Sequence, residues 1–122
     1  MDYAMILNNN YNIKEKSFLY YLHEKNTFDI LSYWELYNSI VKIGESNSDK
    51  KLDIGLLRKV NCVYISILKL FLYNMDLKDC YKIEGFPQEN YASYIERLDV
   101  AVDSCFSRNK INDDMFQLKR PI

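Results

Sequence analysis

The chain has 122 residues, enough for one hydrophobic core and too few for two independent ones. Apolar residues make up 48% and charged residues 27%, with only three Gly and two Pro, a composition that excludes a disordered or linker-rich chain and favours a compact helical one. Sixteen Lys plus Arg against seventeen Asp plus Glu leave a net charge of −1, so there is no global field to draw in nucleic acid or an anionic membrane.

The N-terminus, with an acid at position 2 and an apolar run that stops at Leu7, lacks the basic start and long apolar stretch of a secretory signal, so a cytoplasmic location is expected. The first periodic segment is read as Ile13 to Lys25. Phe18, Leu19, Tyr21 and Leu22 cluster on one side there, and Asn26-Thr27 breaks the pattern. A second helix is expected from Asp29 or Ser32 to Ile43, because Ser32 and Glu35 have the spacing of a capping box and Gly44 offers a left-handed stop. On it Tyr33, Leu36, Tyr37, Ile40, Val41 and Ile43 recur three and four apart, with Trp34 on a flank and therefore expected to be partly exposed. Gly44 to Lys51 reads as a polar connector.

The third helix is expected from Asp53 to about Tyr73. Its apolar run, Val60 to Tyr73, is interrupted by Asn61, Ser66 and Lys69 and falls short of the roughly 20 residues that span a bilayer, so no membrane segment is expected. Residues 77–86 read as a short helix followed by a loop, and Pro87 opens the fourth helix. In the tail, Asn112 or Asp113 is placed to cap a further turn at "DMFQL". The expected architecture is a single all-α domain, residues 1–122, an antiparallel bundle of about four main helices with short additional helical segments.

The stretch "ENYASYIERLDVAVDSCF" departs from the overall neutrality of the chain. At about 100° per residue Tyr91, Tyr94, Ile95, Leu98, Val102, Cys105 and Phe106 fall in one arc that packs into the bundle. Glu89, Glu96, Asp99 and Asp103 fall in a neighbouring arc, with Arg97 and Arg108 on the opposite flank. Glu96 with Asp99, and Asp99 with Asp103, are like charges at spacings that destabilise an isolated helix by about 0.2–0.5 kcal/mol per pair, so an external basic partner is the expected compensation. Asp76, Asp79 and Glu84 extend the same negative surface where the loop folds beside the helix start. Eleven Tyr and one Trp are more than such a core buries with every hydroxyl paired, so Tyr81, Trp34 and other aromatics are expected to contribute to an interface.

Chemistry-bearing motifs are lacking. His23 is the only histidine, the cysteines Cys62, Cys80 and Cys105 have no metal-ligand or framework spacing, and no phosphate loop, nucleophile elbow or zinc-protease pattern occurs. The acidic row has no histidine to complete a carboxylate-bridged metal site. Neither an enzyme, nor a cofactor, nor a bound metal is expected. Basic residues occur only in short separated groups, which argues against direct nucleic-acid binding.

"SFLYYLHEKNTFDILSYWELYNSIVKI" followed by "VYISILKLFLYNMD" resembles the small all-helical immunity proteins of bacterial contact-dependent inhibition and related polymorphic toxin systems. The likeness rests on Ser17-Phe18, Phe28-Asp29 and Trp34-Glu35-Leu36 and covers about half the chain. It implies a cytoplasmic, non-catalytic protein that binds and neutralises a cognate basic toxin domain, with a nuclease as the expected class. The competing classes are a regulatory or scaffold module and a small enzyme without a recognisable motif. A toxin gene immediately upstream separates the first from both.

Overall fold

The computed structural model describes residues 2–46, 53–107 and 109–121. They form five α-helices and one 3₁₀ turn: α1 (Tyr3–Tyr11), α2 (Phe18–Glu24), α3 (Ile30–Ser46), α4 (Ile54–Met75), α5 (Tyr91–Ser107) and η1 (Asp113–Met115). The expected all-α bundle is what the chain builds.

Short side-chain acceptors set the helix starts. Asp2, Ser17 and Asp53 each accept a hydrogen bond from the backbone N–H three residues on, opening α1, α2 and α4. The segment expected as one helix from Ile13 to Lys25 is shorter, and a separate helix precedes it. Lys14 N–H reaches Asn9 O and Ile13 N–H reaches Asn10 O, a Schellman closure that ends α1 with Ile13 in the left-handed region at φ 54°. The missed signal was Asn10, whose buried side chain accepts from Leu19 N–H and so pins α1 to α2.

Of the two expected starts Asp29 is the one used: its carboxylate accepts from Ser32 N–H ahead of Ile30, the first residue of α3, and the capping box at Ser32 is unused. Gly44 is not a left-handed stop either. It lies inside α3, and a Cβ there would stand 3.3 Å from Ser104 Oγ and 3.4 Å from Cys105 Sγ, so its value is the close approach of α5. The connector expected over Gly44 to Lys51 therefore starts later, and residues 47–52 fall outside the described ones.

α3 and α5 form the most extensive helix pair, and they run in the same direction. Tyr33 OH donates to Tyr94 O, Arg97 reaches Tyr37, and Cys105 S–H donates to Ile40 O, an ascending series on both helices. The intervening α4 makes this possible: it runs antiparallel to α5, with Tyr64 against Asp99 and the Phe71 ring touching Phe86, which in turn touches Tyr91. Consecutive α4 and α5 thus pack antiparallel, as expected of the bundle, while α3 and α5, separated in sequence by α4, lie side by side in parallel.

That return, residues 76–90, has no α-helix. It is tied down by an isolated parallel bridge between Thr27 and Glu84, by Ile83 N–H on Asn74 Oδ1, and by the left-handed Gly85 at φ 74°. Pro87 opens only a turn, closed by Asn90 N–H on Pro87 O, and α5 starts at Tyr91. In the core Phe18, Phe28, Tyr33, Trp34 and Tyr94 meet at centroid separations between 5.0 and 6.4 Å, mostly edge to face.

Candidate protein-binding surface on α5

α5 is held from behind by a buried cation. Arg97, which the helical projection puts on the flank away from the acids, is completely buried. Its Nη1 donates to Asp113 Oδ1 at 2.6 Å and to Tyr37 OH at 2.8 Å, while Nε and Nη2 both donate to Leu118 O at 3.0 and 2.8 Å. The guanidinium also lies 4.1 Å from the centroid of the Phe116 ring. Asp113 accepts a second cation, Arg120, at 2.6 Å, and Arg120 continues to Asn38 on α3. Burial works against the charge on Arg97, yet the hydrogen bonds with Asp113 and Tyr37 outweigh it and hold its pKa above the ordinary value. The tail is thereby strapped along one side of α5, and η1, capped by Asn112 as expected, presents Asp113 to the clamp.

The opposite side of α5 faces water. Glu96, Asp99 and Asp103 are all exposed on it, and among the described residues no salt bridge involves any of them. Among the described residues Asp103 accepts from Ser107 OH at 3.4 Å. Glu96 borders a shallow groove against Met115, Phe116 and Leu118 of the tail. Asp99 is met from α4 by Tyr64, whose hydroxyl donates to Oδ1 at 3.2 Å; burial first, then the Asp99 charge, pushes the Tyr64 phenol up to about 12. Tyr64 was not singled out in the sequence, because its contact depends on the pairing of α4 with α5.

The remaining candidates separate from this row. Glu89 is exposed but sits in the turn before α5. The loop does return to the end of α4, where Gln88 Nε2 lies 3.8 Å from Met75 Sδ, but two of its acids, Asp76 and Asp79, accept locally. Asp76 accepts from Lys78 N–H and Asp79 from Tyr81 N–H, both shaping the chain turn. Tyr81 is half-buried, donates to Leu22 O, and has its phenol pushed up to about 12 by burial. Trp34 is corrected outright: only 7% exposed, it packs between Tyr33, Tyr37 and the Arg97 guanidinium and offers no ring to a partner. Most tyrosines bridge core and water, and only Tyr11 and Tyr73 stand among the exposed large side chains.

His23 is exposed, with Nδ1 3.1 Å from Glu24. Among the described residues no three His, Cys, Asp or Glu side chains converge as metal ligands. The cleft between the C-terminal ends of α3 and α5, about 410 Å³, is lined by Val41, Gly44, Glu45, Ser104, Lys110 and Ile111. Its one serine is committed to Ala101 O. Among the described residues no helix is long and apolar enough to cross a membrane. No family model matches the sequence, and no match was found among curated proteins or solved structures.

Proposed function

We propose that the protein is an immunity protein that binds a basic toxin domain through the outer face of α5 and neutralises it without catalysis. The observation that carries the reading is the row Glu96, Asp99 and Asp103, exposed together and in no salt bridge among the described residues, on a helix anchored from behind by Arg97. Such a row speeds encounter with a cation-lined surface and orients it, and the anchored helix keeps the loss of freedom on binding small. A nuclease domain, whose substrate groove carries clustered Lys and Arg, is the partner class this charge suits best. The reading places the protein in the cytoplasm of the toxin-producing cell.

The test is co-purification with the product of the gene immediately upstream, followed by its toxicity with and without this protein. Protection by the parent and its loss in the triple reversal Glu96→Lys, Asp99→Lys, Asp103→Lys is the expected result. An equally protective, folded triple mutant would remove the acidic face from the mechanism.

A further inference from the structure

α4 carries a second, outward-facing row. Ile54, Arg58, Asn61, Ile65, Leu68 and Leu72 follow one another at alternating spacings of four and three, over about 27 Å of helix. Ile54 is 78% exposed and Leu72 67%, Ile65 is also exposed and Leu68 half-buried, while the helix buries Leu57, Val60, Val63, Ile67 and Phe71 against its own bundle. A soluble helix with one buried face does not need a second apolar seam at this spacing, and exposed apolar rows of this kind mark contact surfaces.

The residues beside the seam specify what covers it. Tyr64, immediately before Ile65, holds Asp99 of α5 on one side, and Lys69, immediately after Leu68, is exposed on the other. In a parallel two-stranded packing, the residue preceding one seam position faces the residue five places further along the other helix, which pairs Tyr64 of one helix with Lys69 of the next. A two-fold axis along the seam repeats that contact, so Lys69 of each copy meets the Tyr64–Asp99 pair of the other. An antiparallel arrangement brings like flank against like.

We propose that α4 is the seam of a parallel, two-fold homodimer, closed by Ile65, Leu68 and Leu72 and fixed in register by Lys69 of each copy against the Tyr64–Asp99 pair of the other. Arg58 and Asn61 interrupt the apolar row, so the association is weak and concentration-dependent, with the polar pair opposing slipped registers. The inference does not rest on toxin binding, although the two readings share Asp99. Of the acidic row it takes Asp99, whereas Asp103 and Glu96 are turned about 40° and 60° further from α4.

Sedimentation equilibrium of the full chain over a rising concentration series tests it. Expected are a monomer–dimer equilibrium for the parent and a monomer throughout for Ile65→Glu/Leu72→Glu, with circular dichroism showing both folded. Lys69→Glu alone and Asp99→Lys alone should each weaken the dimer at least tenfold, and the two together should restore it to within a few-fold of the parent. A parent that stays monomeric at every concentration, a dimer indifferent to Ile65→Glu/Leu72→Glu, or a charge swap that fails to restore association each overturns the proposal. Toxin protection by a strictly monomeric parent would overturn it while leaving the immunity reading intact.

Discussion

Arg97 and Asp113 meet at 2.6 Å, one completely buried and the other half-exposed, and their contact joins the middle of α5 to the tail. The same guanidinium also serves Leu118 O and Tyr37 OH, so removing it strands those two acceptors and leaves Asp113 with Arg120 alone. Arg97→Ala is expected to cost about 1–3 kcal/mol in urea unfolding for each buried acceptor left unpaired, Leu118 O and Tyr37 OH, while Asp113 keeps Arg120. Arg97→Lys should recover little, because a single ammonium cannot reproduce the fork that serves Asp113 and Leu118 together. Hydrogen exchange should show residues 111–118 losing protection in both variants.

The pH dependence of this clamp has a definite sign. The hydrogen bond from Arg120, joined by that from Arg97, holds the Asp113 carboxyl below its ordinary value against the opposing pull of partial burial. A depressed folded-state pKa means that the unfolded chain binds the proton more readily, so stability rises with pH through this region. The contribution is complete above the ordinary Asp value near 3.8 and is lost as pH falls through the lower folded value. Denaturant midpoints of the parent should therefore fall in acid more steeply than those of Asp113→Asn. Equal slopes would show that Asp113 does not contribute this linkage.

At Gly44 two effects compete. Replacing an interior helical glycine gains about 1 kcal/mol of helix propensity, but any side chain enters the space between α3 and α5. For Gly44→Ala the 3.3 Å contact with Ser104 Oγ is with a small side chain, so the net change should be within about 1 kcal/mol of zero. Gly44→Leu has to displace Cys105 as well and should destabilise by about 1–3 kcal/mol. Thermal unfolding of the two variants checks the order; a stabilised Leu variant would show that the helices separate easily here.

The cysteines should report their surroundings as three distinct rates. All three are free thiols; Cys80 is exposed, Cys62 half-buried and Cys105 buried, with burial pushing the Cys105 thiol up to about 11. With a disulfide reagent at neutral pH, Cys80 should react first and Cys62 more slowly, and Cys105 only on unfolding. Rapid labelling of Cys105 in the native protein would contradict the α3–α5 packing.

Much of this was legible in the sequence. Local chemistry marked Asp53 and Asn112 as helix starts, and the 3.6-residue period gave the buried face of α3 and, on α5, Leu98, Val102 and Cys105, whereas Phe106, expected in the same arc, is exposed and Ala101 and Ser104 are buried in its place. What failed depended on partners distant in sequence. Gly44 looked like a stop because a glycine after an apolar run usually is one, and only the position of Ser104 gives it its other role. Trp34 and Arg97 both look peripheral on their own helices, since a helical projection counts only one helix; Phe116 and Leu118 of the tail enclose Arg97, and Arg97 with Tyr33, Tyr37 and Tyr94 encloses Trp34. α1 was missed because its buried side is short, with only Leu7 and Asn10 fully enclosed. Glu96, Asp99 and Asp103 are exposed as the projection of the single helix expects, with Glu96 bordering the tail and Asp99 met by Tyr64.

That row should carry a small stability cost. Glu96 and Asp99 are three apart and Asp99 and Asp103 four apart, each pair worth about 0.2–0.5 kcal/mol of repulsion on an exposed helix. Glu96→Gln together with Asp103→Asn removes both repulsions while leaving Asp99 bonded to Tyr64, so this double variant should unfold at slightly higher urea than the parent. The gain should shrink as salt is added, because exposed charges are screened over about 10 Å at 0.1 M. Binding to a basic partner should move the other way, with the association rate of the double variant falling severalfold at low salt and approaching that of the parent at high salt. A residue pair kept for solubility alone would show the first effect without the second. Higher stability combined with a slower, salt-insensitive association would identify the carboxylates as binding groups held on α5 at the expense of the helix that carries them.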